Sequence, residues 1–517
     1  MKYLKKFENH SSYTEFQVTD EFIKPNVSHC VEQEEVHYYR NPWNPEYFTL
    51  EAIEDGTFTV SINKGVSTNE VRNISYSLDG GETWTTTDNI NNQIVTITTP
   101  TVLSGQKVLL KGDADSLAYS TGTTSTSLTG GTGATIIGST CKFNARGNIM
   151  SLLYGDDFQD KDTLPNKDLS FCRLFYANTN IISAENLLLP ATSATVSCYN
   201  RMFSGCNNLT TAPKSIEAII GNENACSGMF YDCVKLTKAP EFKTIKMLAS
   251  GWSYTFYNCK SLTTAPELPA TIIGDYCCYN MFNFCESLTT APSILPAMTL
   301  SKNCYDFMFA NCINLINCPE LPATTLANEC YDGMFASCRN LTTAPSVLPA
   351  TTLAERCYAS MFSSCSSLTT APQLPATTLA KDCYAAMFAR CTSLTTAPQL
   401  PATTLADECY EQMFVSCTSL TTVPNLSATT LASDCCMYMF QNCTSLTTAP
   451  QLPATALAGR CCYQMFRGCT SLTTAPELPA TALASSCYEG MFMGCTSLTT
   501  APELQATTLA SWCYEQM

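Results

Sequence analysis

Apolar and polar positions follow two different periods within one recurring stretch of this chain. In its cleanest form the stretch reads Cys383-Tyr384-x-x-Met387-Phe388-x-x-Cys391-Thr392-Ser393-Leu394-Thr395-Thr396-Ala397-Pro398-Gln399-Leu400-Pro401-Ala402. Leu379, Cys383, Met387 and Cys391 lie four apart, with Phe388 beside Met387, which predicts the apolar face of a short helix. Thr378 with Lys381, and Thr404 with Asp407, stand where an N-cap and its third helical residue belong. After the second cysteine, Leu394-Thr395-Thr396 predicts a short strand that Pro398 and Pro401 end. With Leu394 inward, strand alternation turns Thr395, Ala397 and Gln399 outward. The second cysteine recurs at Cys365, Cys391, Cys417, Cys443, Cys469 and Cys495, every 26 residues, and Ile294 and Val347 lengthen two earlier units. A fixed period of this size predicts a solenoid in which neighbours bury each other's apolar face. Strands stack about 4.8 Å apart and helices about 8–10 Å, so the stack should curve with its sheet on the concave side.

Ahead of the repeats the pattern changes. Residues 1–45 form a polar leader dotted with aromatics and closed by Asn41-Pro42-Trp43-Asn44-Pro45, which predicts a boundary. From 46 to 138 apolar residues alternate: Phe58-Val60-Ile62, Ile74-Tyr76-Leu78, Val95-Ile97 and Val108-Leu110. Turn residues separate these runs, as in a small Ig-like β-sandwich. The Thr/Ser/Gly stretch Ser120 to Gly138 predicts a long loop or linker. Residues 139–197 are expected to be linker and N-terminal cap, with Leu174-Phe175 and Ile181 in the places of Met-Phe and Leu. The solenoid proper is expected over 198–517.

The run Met-Phe-x-x-Cys-x-Ser-Leu-Thr-Thr resembles the BspA-type leucine-rich repeats, whose units read Ala-Phe-x-x-Cys-x-x-Leu-x-x-Ile. The resemblance covers about three quarters of the chain and repeats in register. It implies an α/β solenoid, a curved leucine-rich-repeat stack of about 13 repeats, and a role as a surface adhesin or binding protein. The longer unit and the additional first cysteine depart from that family's pattern. The leader, from Lys5-Lys6-Phe7-Glu8-Asn9-His10 to Glu35-Val36-His37-Tyr38, resembles the opening of phage-derived or prophage structural proteins of gut bacteria. That second resemblance implies docking of residues 1–45 to a virion or surface assembly.

Composition narrows the partners. Charged residues make up 14% of the chain, low because most positions in a stack face a neighbour. A net charge of −16 with no basic stretch along the sequence argues against nucleic acid and against anionic membranes. No segment has the apolar length of a membrane span, and the first ten residues lack the apolar core of a secretory signal. The chain stops at Trp512-Cys513-Tyr514-Glu515-Gln516-Met517, inside a unit, so a further segment or another chain is expected to cover that end. The location expected is a virion or an extracellular cell surface.

Chemistry finds little support. The three histidines, His10, His29 and His37, all lie in the leader, so no cysteine of the repeats has a histidine of its own domain to activate it. His29, Cys30 and His37 match no zinc spacing. Cys383 and Cys391, eight residues apart and about 12 Å if helical, lie beyond disulfide reach. Asn178 takes the second-cysteine place in the first, degenerate unit, and Asn/Cys interchange predicts a buried hydrogen-bonding ladder of free thiols. Bridges between adjacent units remain open. Ser77-Leu78-Asp79-Gly80-Gly81-Glu82-Thr83-Trp84 resembles the Asp-box of sialidase propellers, and a single copy predicts a β-hairpin and no sugar cleavage. No catalytic residue, metal or cofactor is expected.

The remaining candidate is the outward polar ladder. It comprises Glu267, Glu320, Gln373, Gln399, Asn425, Gln451 and Glu477, beside threonines Thr369, Thr395, Thr421, Thr447 and Thr473. Small donors and acceptors in rows suit a carbohydrate or an extended protein surface. A solvated face without a ligand, and hence a structural spacer, is the competing expectation.

Overall fold

The computed structural model describes residues 46–62, 73–86, 95–112, 135–164 and 168–517, and the backbone of four strands within 1–45. Those strands are β1 (Tyr3–Glu8), β2 (Ser12–Gln17), β3 (Cys30–Glu32) and β4 (Glu35–His37). They form an antiparallel sheet, β2-β1-β3-β4, whose register sets Cys30 opposite His37. His10 and His29 lie outside the described residues.

The period-two runs form strands. These are β5 (Phe48–Ala52), β6 (Phe58–Ile62), β7 (Ile74–Ser77), β8 (Thr85–Thr86), β9 (Val95–Thr98) and β10 (Lys107–Gly112), followed by β11 (Ile136–Ser139), β12 (Phe143–Asn148) and β13 (Ile181–Leu188). One sheet runs β13-β12-β5-β10-β7-β8 and a second β11-β6-β9. Phe48, Leu50, Val108 and Leu110 of the first share a buried core with Phe58, Val60 and Ile137 of the second. Phe58 meets Phe143 edge-on at 5.3 Å across that core. The Asp79 turn joins β7 to β8: the carboxylate accepts from the Thr83 N–H at 2.9 Å and from Ser77 Oγ at 2.7 Å.

Residue 138 does not divide the chain as expected. Strand β11 straddles it, and β12 extends the first sheet by pairing antiparallel with β5 and parallel with β13. The alternation in β12 is only Phe143-x-Ala145 before Gly147, too short a signal to read as a strand. Of the expected linker, 136–138 belong to β11 and 120–134 lie outside the described residues.

The segment between the two cysteines of each unit is not the expected helix. Among the described residues the helical pieces are α1 (Ser151–Tyr154) and the 3-10 turn that follows it, both ahead of the repeats. In the repeats the backbone instead makes successive turns of four residues. Asp382, Ala386 and Arg390 take φ of 55, 52 and 62°. Between them, N–H groups alternate in direction: Ala385 donates back to Asp382 O at 3.1 Å, while Ala386 donates to Glu411 O of the next unit at 2.7 Å. Met387 and Phe388 repeat that pair of bonds with Tyr384 and Met413. Two residues of every four point inward, so Cys383-Tyr384, Met387-Phe388 and Cys391 are buried. A strict spacing of four mimics a helical face, yet an α-helix drifts out of register at that spacing because its turn is 3.6 residues. Thr404 caps no helix; Asp407 Oδ1 accepts from the Ser433 N–H of the next unit at 3.1 Å.

These turns pack into a continuous column of rings. Phe175, Phe203, Phe230, Phe256 and Phe282 stack with centroids 5.1–5.4 Å apart and planes within 9°. The column continues through Phe388 to Phe492, where the last pair lies 5.8 Å apart. Phe48 and Phe143 touch Phe175 at 6.0 and 6.3 Å, which joins the sheet core to the stack. A repeat distance below 6 Å on this side nearly matches strand spacing. The strong curvature expected from helices therefore loses its basis.

After the second cysteine, inward positions come every three residues. Leu394, Ala397 and Leu400 are buried, so Ala397 faces in, contrary to the expected alternation. Pro398 and Pro401 explain the change: proline fixes φ near −65°, and a polyproline II stretch has three residues per turn. Neighbouring units meet in short parallel pairings. Thr343, Thr370, Thr396 and Thr422 bridge in series, Val347 bridges Gln373, and Thr430–Leu431 pairs with Ala456–Leu457.

Candidate functional site

All twelve residues of the expected ladder are exposed: Glu267, Glu320, Thr369, Gln373, Thr395, Gln399, Thr421, Asn425, Thr447, Gln451, Thr473 and Glu477. The backbone beneath several of them is tied into the stack. Gln373 donates its N–H to Ser346 O at 3.0 Å and accepts from the Leu348 N–H at 3.1 Å.

Some of those side chains serve the stack as well. Thr421 Oγ1 donates to Thr395 O at 3.2 Å, and Thr473 Oγ1 to Thr447 O at 3.1 Å. Asn425 Oδ1 accepts from the Gln451 N–H at 2.9 Å. Glu267 accepts from the Ser293 N–H at 3.0 Å and from its hydroxyl at 2.9 Å. Thus Glu267 and Asn425 clasp the following unit. The face deepens at one place into a groove of about 750 Å³, lined by residues of 237–243 and 263–269 and including Glu267.

The cysteines Cys365, Cys391, Cys417, Cys443, Cys469 and Cys495 are buried behind this face. Each donates its S–H to the phenylalanine carbonyl of the preceding unit at 3.0–3.1 Å, as Cys391 does to Phe362 O. Asn178 continues the ladder into the first unit, its Nδ2 donating to Ile137 O at 2.8 Å. No disulfide links the described cysteines. Burial pushes the Cys417 and Cys469 thiols up to about 12 and Cys495 to about 11, which removes the thiolate a nucleophile needs.

The turn segments hold acids that the sequence reading did not single out. Asp306 is buried, accepts from Asn303 Nδ2 at 2.9 Å, and is pushed up to about 7 by burial despite that bond. Asp332 binds Arg356 at 2.8 Å. The carboxylates of Asp382, Glu408 and Glu411 converge within 4.8 Å. Burial, then Glu408, pushes Asp382 up to about 6, and Lys381 pairs with Glu408 at 3.2 Å. Lys381 thus offsets part of the negative charge that gathers at this trio. The trio's sequence signal was available: acidic residues stand beside Cys-Tyr in two consecutive units, Asp382-Cys383-Tyr384 and Glu408-Cys409-Tyr410-Glu411.

Parallel pairings between successive units, a shared ring column and an exposed polar face define a repeat protein of the solenoid class. The profile of the BspA type Leucine rich repeat region matches in six copies over 174–294, 227–395 and 334–458, more than half of the chain. The chain belongs to that family. A solved leucine-rich repeat protein from Bacteroides ovatus is 17% identical, with a TM-score of 0.31 over 64% of this chain and 88% of its own. No curated protein matches the chain. No helix among the described residues is long and apolar enough to cross a membrane.

Proposed function

We propose that this chain is a non-catalytic binding protein, a BspA-like surface adhesin whose threonine and glutamine face engages a protein or glycan on a cell surface. One observation carries the reading: polar side chains project in register from all twelve ladder positions, each exposed, over a stack whose units are tied together by short parallel bridges. Such a face offers many weak side-chain contacts repeated at a fixed spacing. Family membership supports the same class and an extracellular or surface location. Docking of residues 1–45 to a virion or surface assembly is a second reading. It rests on the resemblance of the leader.

The test uses the full chain, since a cut at residue 138 would sever β11 and separate β12 from β5. Retention on a glycan array and on intact bacterial cells is compared with a variant carrying Gln373→Ala, Gln399→Ala and Gln451→Ala. Loss of about tenfold in retention is expected if these side chains contribute at the level of ordinary interface residues. Equal retention by the variant would move the site elsewhere. Absence of any retention would leave the repeats as a spacer.

A further inference from the structure

The polar face is not uniform along the stack, and its first units differ from the rest in two independent ways. Lys214, Lys235, Lys238, Lys243 and Lys246 stand where the later unit has Gln399, Ser393, Thr396, Pro401 and Thr404. A chain of net charge −16 thus concentrates cations on one part of one face. The second difference is apolar. Ile219, Ile220, Ile245, Ile272 and Met298 occupy the places of Thr403 and Thr404, and they are 43–57% exposed.

Backbone bonds set the isoleucines side by side. The Ile245 N–H donates to Ile219 O at 2.9 Å, and the Thr271 and Ile272 N–H groups donate to Ile245 O at 3.1 and 3.4 Å. Ile220, Lys246 and Ile272 are paired in one parallel sheet. The result is an apolar ridge crossing four units. Lys243 lies two residues before Ile245 and lines the groove with Lys238, Phe242, Pro240, Pro266 and Glu267. The groove's own carboxylates are occupied, since Glu241 pairs with Lys243 at 3.0 Å and Glu267 holds Ser293. The Glu241–Lys243 pair is exposed on both sides, and an exposed pair of this kind is readily exchanged for another partner.

We propose that this ridge and its lysine-rimmed groove form a docking surface for an acidic protein segment that carries apolar side chains between its carboxylates. An apolar centre with a charged rim is the anatomy of a protein interface. The lysines supply the complementary charge that steers and orients such a partner. A polyanionic glycan would use the lysines and leave the ridge bare, so the ridge favours protein. The proposal rests on the reading of the chain as a binding protein and narrows its partner and its place.

The repeats themselves supply variants that fold. Ile245→Thr with Ile272→Thr, and Lys238→Thr with Lys243→Gln, introduce small polar residues of the kind found at these places in later units. Binding to the full chain is measured for a synthetic peptide alternating Glu with Leu, for its Gln/Leu and Lys/Leu counterparts, and for polygalacturonate. Saturable binding of the Glu/Leu peptide is expected, at least tenfold weaker for the Gln/Leu peptide. Each double variant should weaken it by about tenfold, and salt should weaken it further by screening. Failure of the Glu/Leu peptide to bind overturns the proposal. So does polygalacturonate binding that falls with the lysine variant alone. Cell retention that survives both double variants leaves the protein an adhesin and removes this surface from its binding.

Discussion

Each second cysteine does two things at the scale of one residue. Its sulfur fills space beside the ring column, and its S–H donates to a phenylalanine carbonyl of the preceding unit. Phe362 O accepts from both the Cys365 N–H at 3.1 Å and Cys391 Sγ at 3.1 Å, so loss of the thiol leaves that carbonyl half-satisfied. Cys391→Ala should therefore cost about 1–2 kcal/mol, the sum of a small cavity and one weak hydrogen bond. Chemical denaturation of the variant checks this, and an unchanged midpoint would show the ladder to be ornamental. Asp306 makes a pH-dependent case. Its folded pKa is raised to about 7 by burial, above the ordinary value of 3.8, so the folded state holds the proton more tightly than the unfolded chain. Its contribution is full below pH 3.8 and is lost as pH rises through 7. Asp306→Asn keeps the shape and removes the titration. The variant should gain on the order of 1–3 kcal/mol at pH 8 and nothing at pH 3.5, read as a difference in melting temperature between the two conditions.

At the scale of the element, the turn segment pays for its dense inter-unit bonding with left-handed backbone at every fourth residue. Tolerant residues fill many of those places: Asn303, Asp382, Asn442, Ser364 and Ser416 at φ of 51–62°, and glycine at Gly228, Gly333 and Gly490. Ala386, at φ 52°, is a poor occupant. An L-residue there carries about 1–2 kcal/mol of strain, against about 0.5–1 kcal/mol of extra chain entropy for glycine. Ala386→Gly should raise stability by up to about 1 kcal/mol, measured by thermal melting. A loss would mean that the Ala386 side chain packs better than the backbone argument allows. This element also shows where the sequence could be read and where it could not. The period, the inward Cys, Met, Phe and Leu positions and the polar face followed from spacing alone. Helix and turn ladder share the four-residue interval, and the distinction lay in adjacent apolar pairs such as Met387-Phe388 together with Asn, Ser and Gly at every fourth place. Strand alternation failed at Ala397 because two prolines set a period of three. The lysine and isoleucine substitutions stood in the sequence as well, but their adjacency across units depends on the inter-unit register.

At the scale of the whole molecule, buried apolar residues from Phe48 to Cys513 form one connected core, so protons held in it are coupled to folding of the stack. Burial pushes Cys226, Cys383, Cys417 and Cys469 up to about 12, and Cys487 and Cys495 up to about 11, from an ordinary value of 9.0. Tyr331, Tyr358 and Tyr384 are raised well above 10.0 by the same cause. Because the folded pKa values exceed the unfolded ones, the stability they support is intact below pH 9 and falls as pH rises toward 11–12. Above pH 9 an unfolded chain releases protons that the folded chain retains, which costs about 1 kcal/mol per thiol in the first pH unit. Summed over these six thiols, that penalty is about 6 kcal/mol in the first pH unit, comparable with the whole stability of an ordinary domain, about 5–15 kcal/mol. The melting temperature under reducing conditions should be nearly flat from pH 6 to 8 and collapse between pH 9 and 11. Thiol-reactive probes should label the native chain slowly at pH 7 and rapidly once that collapse begins. A melting temperature that holds to pH 11 would show that the stack tolerates buried thiolates, and that its packing is far looser than the ring column indicates.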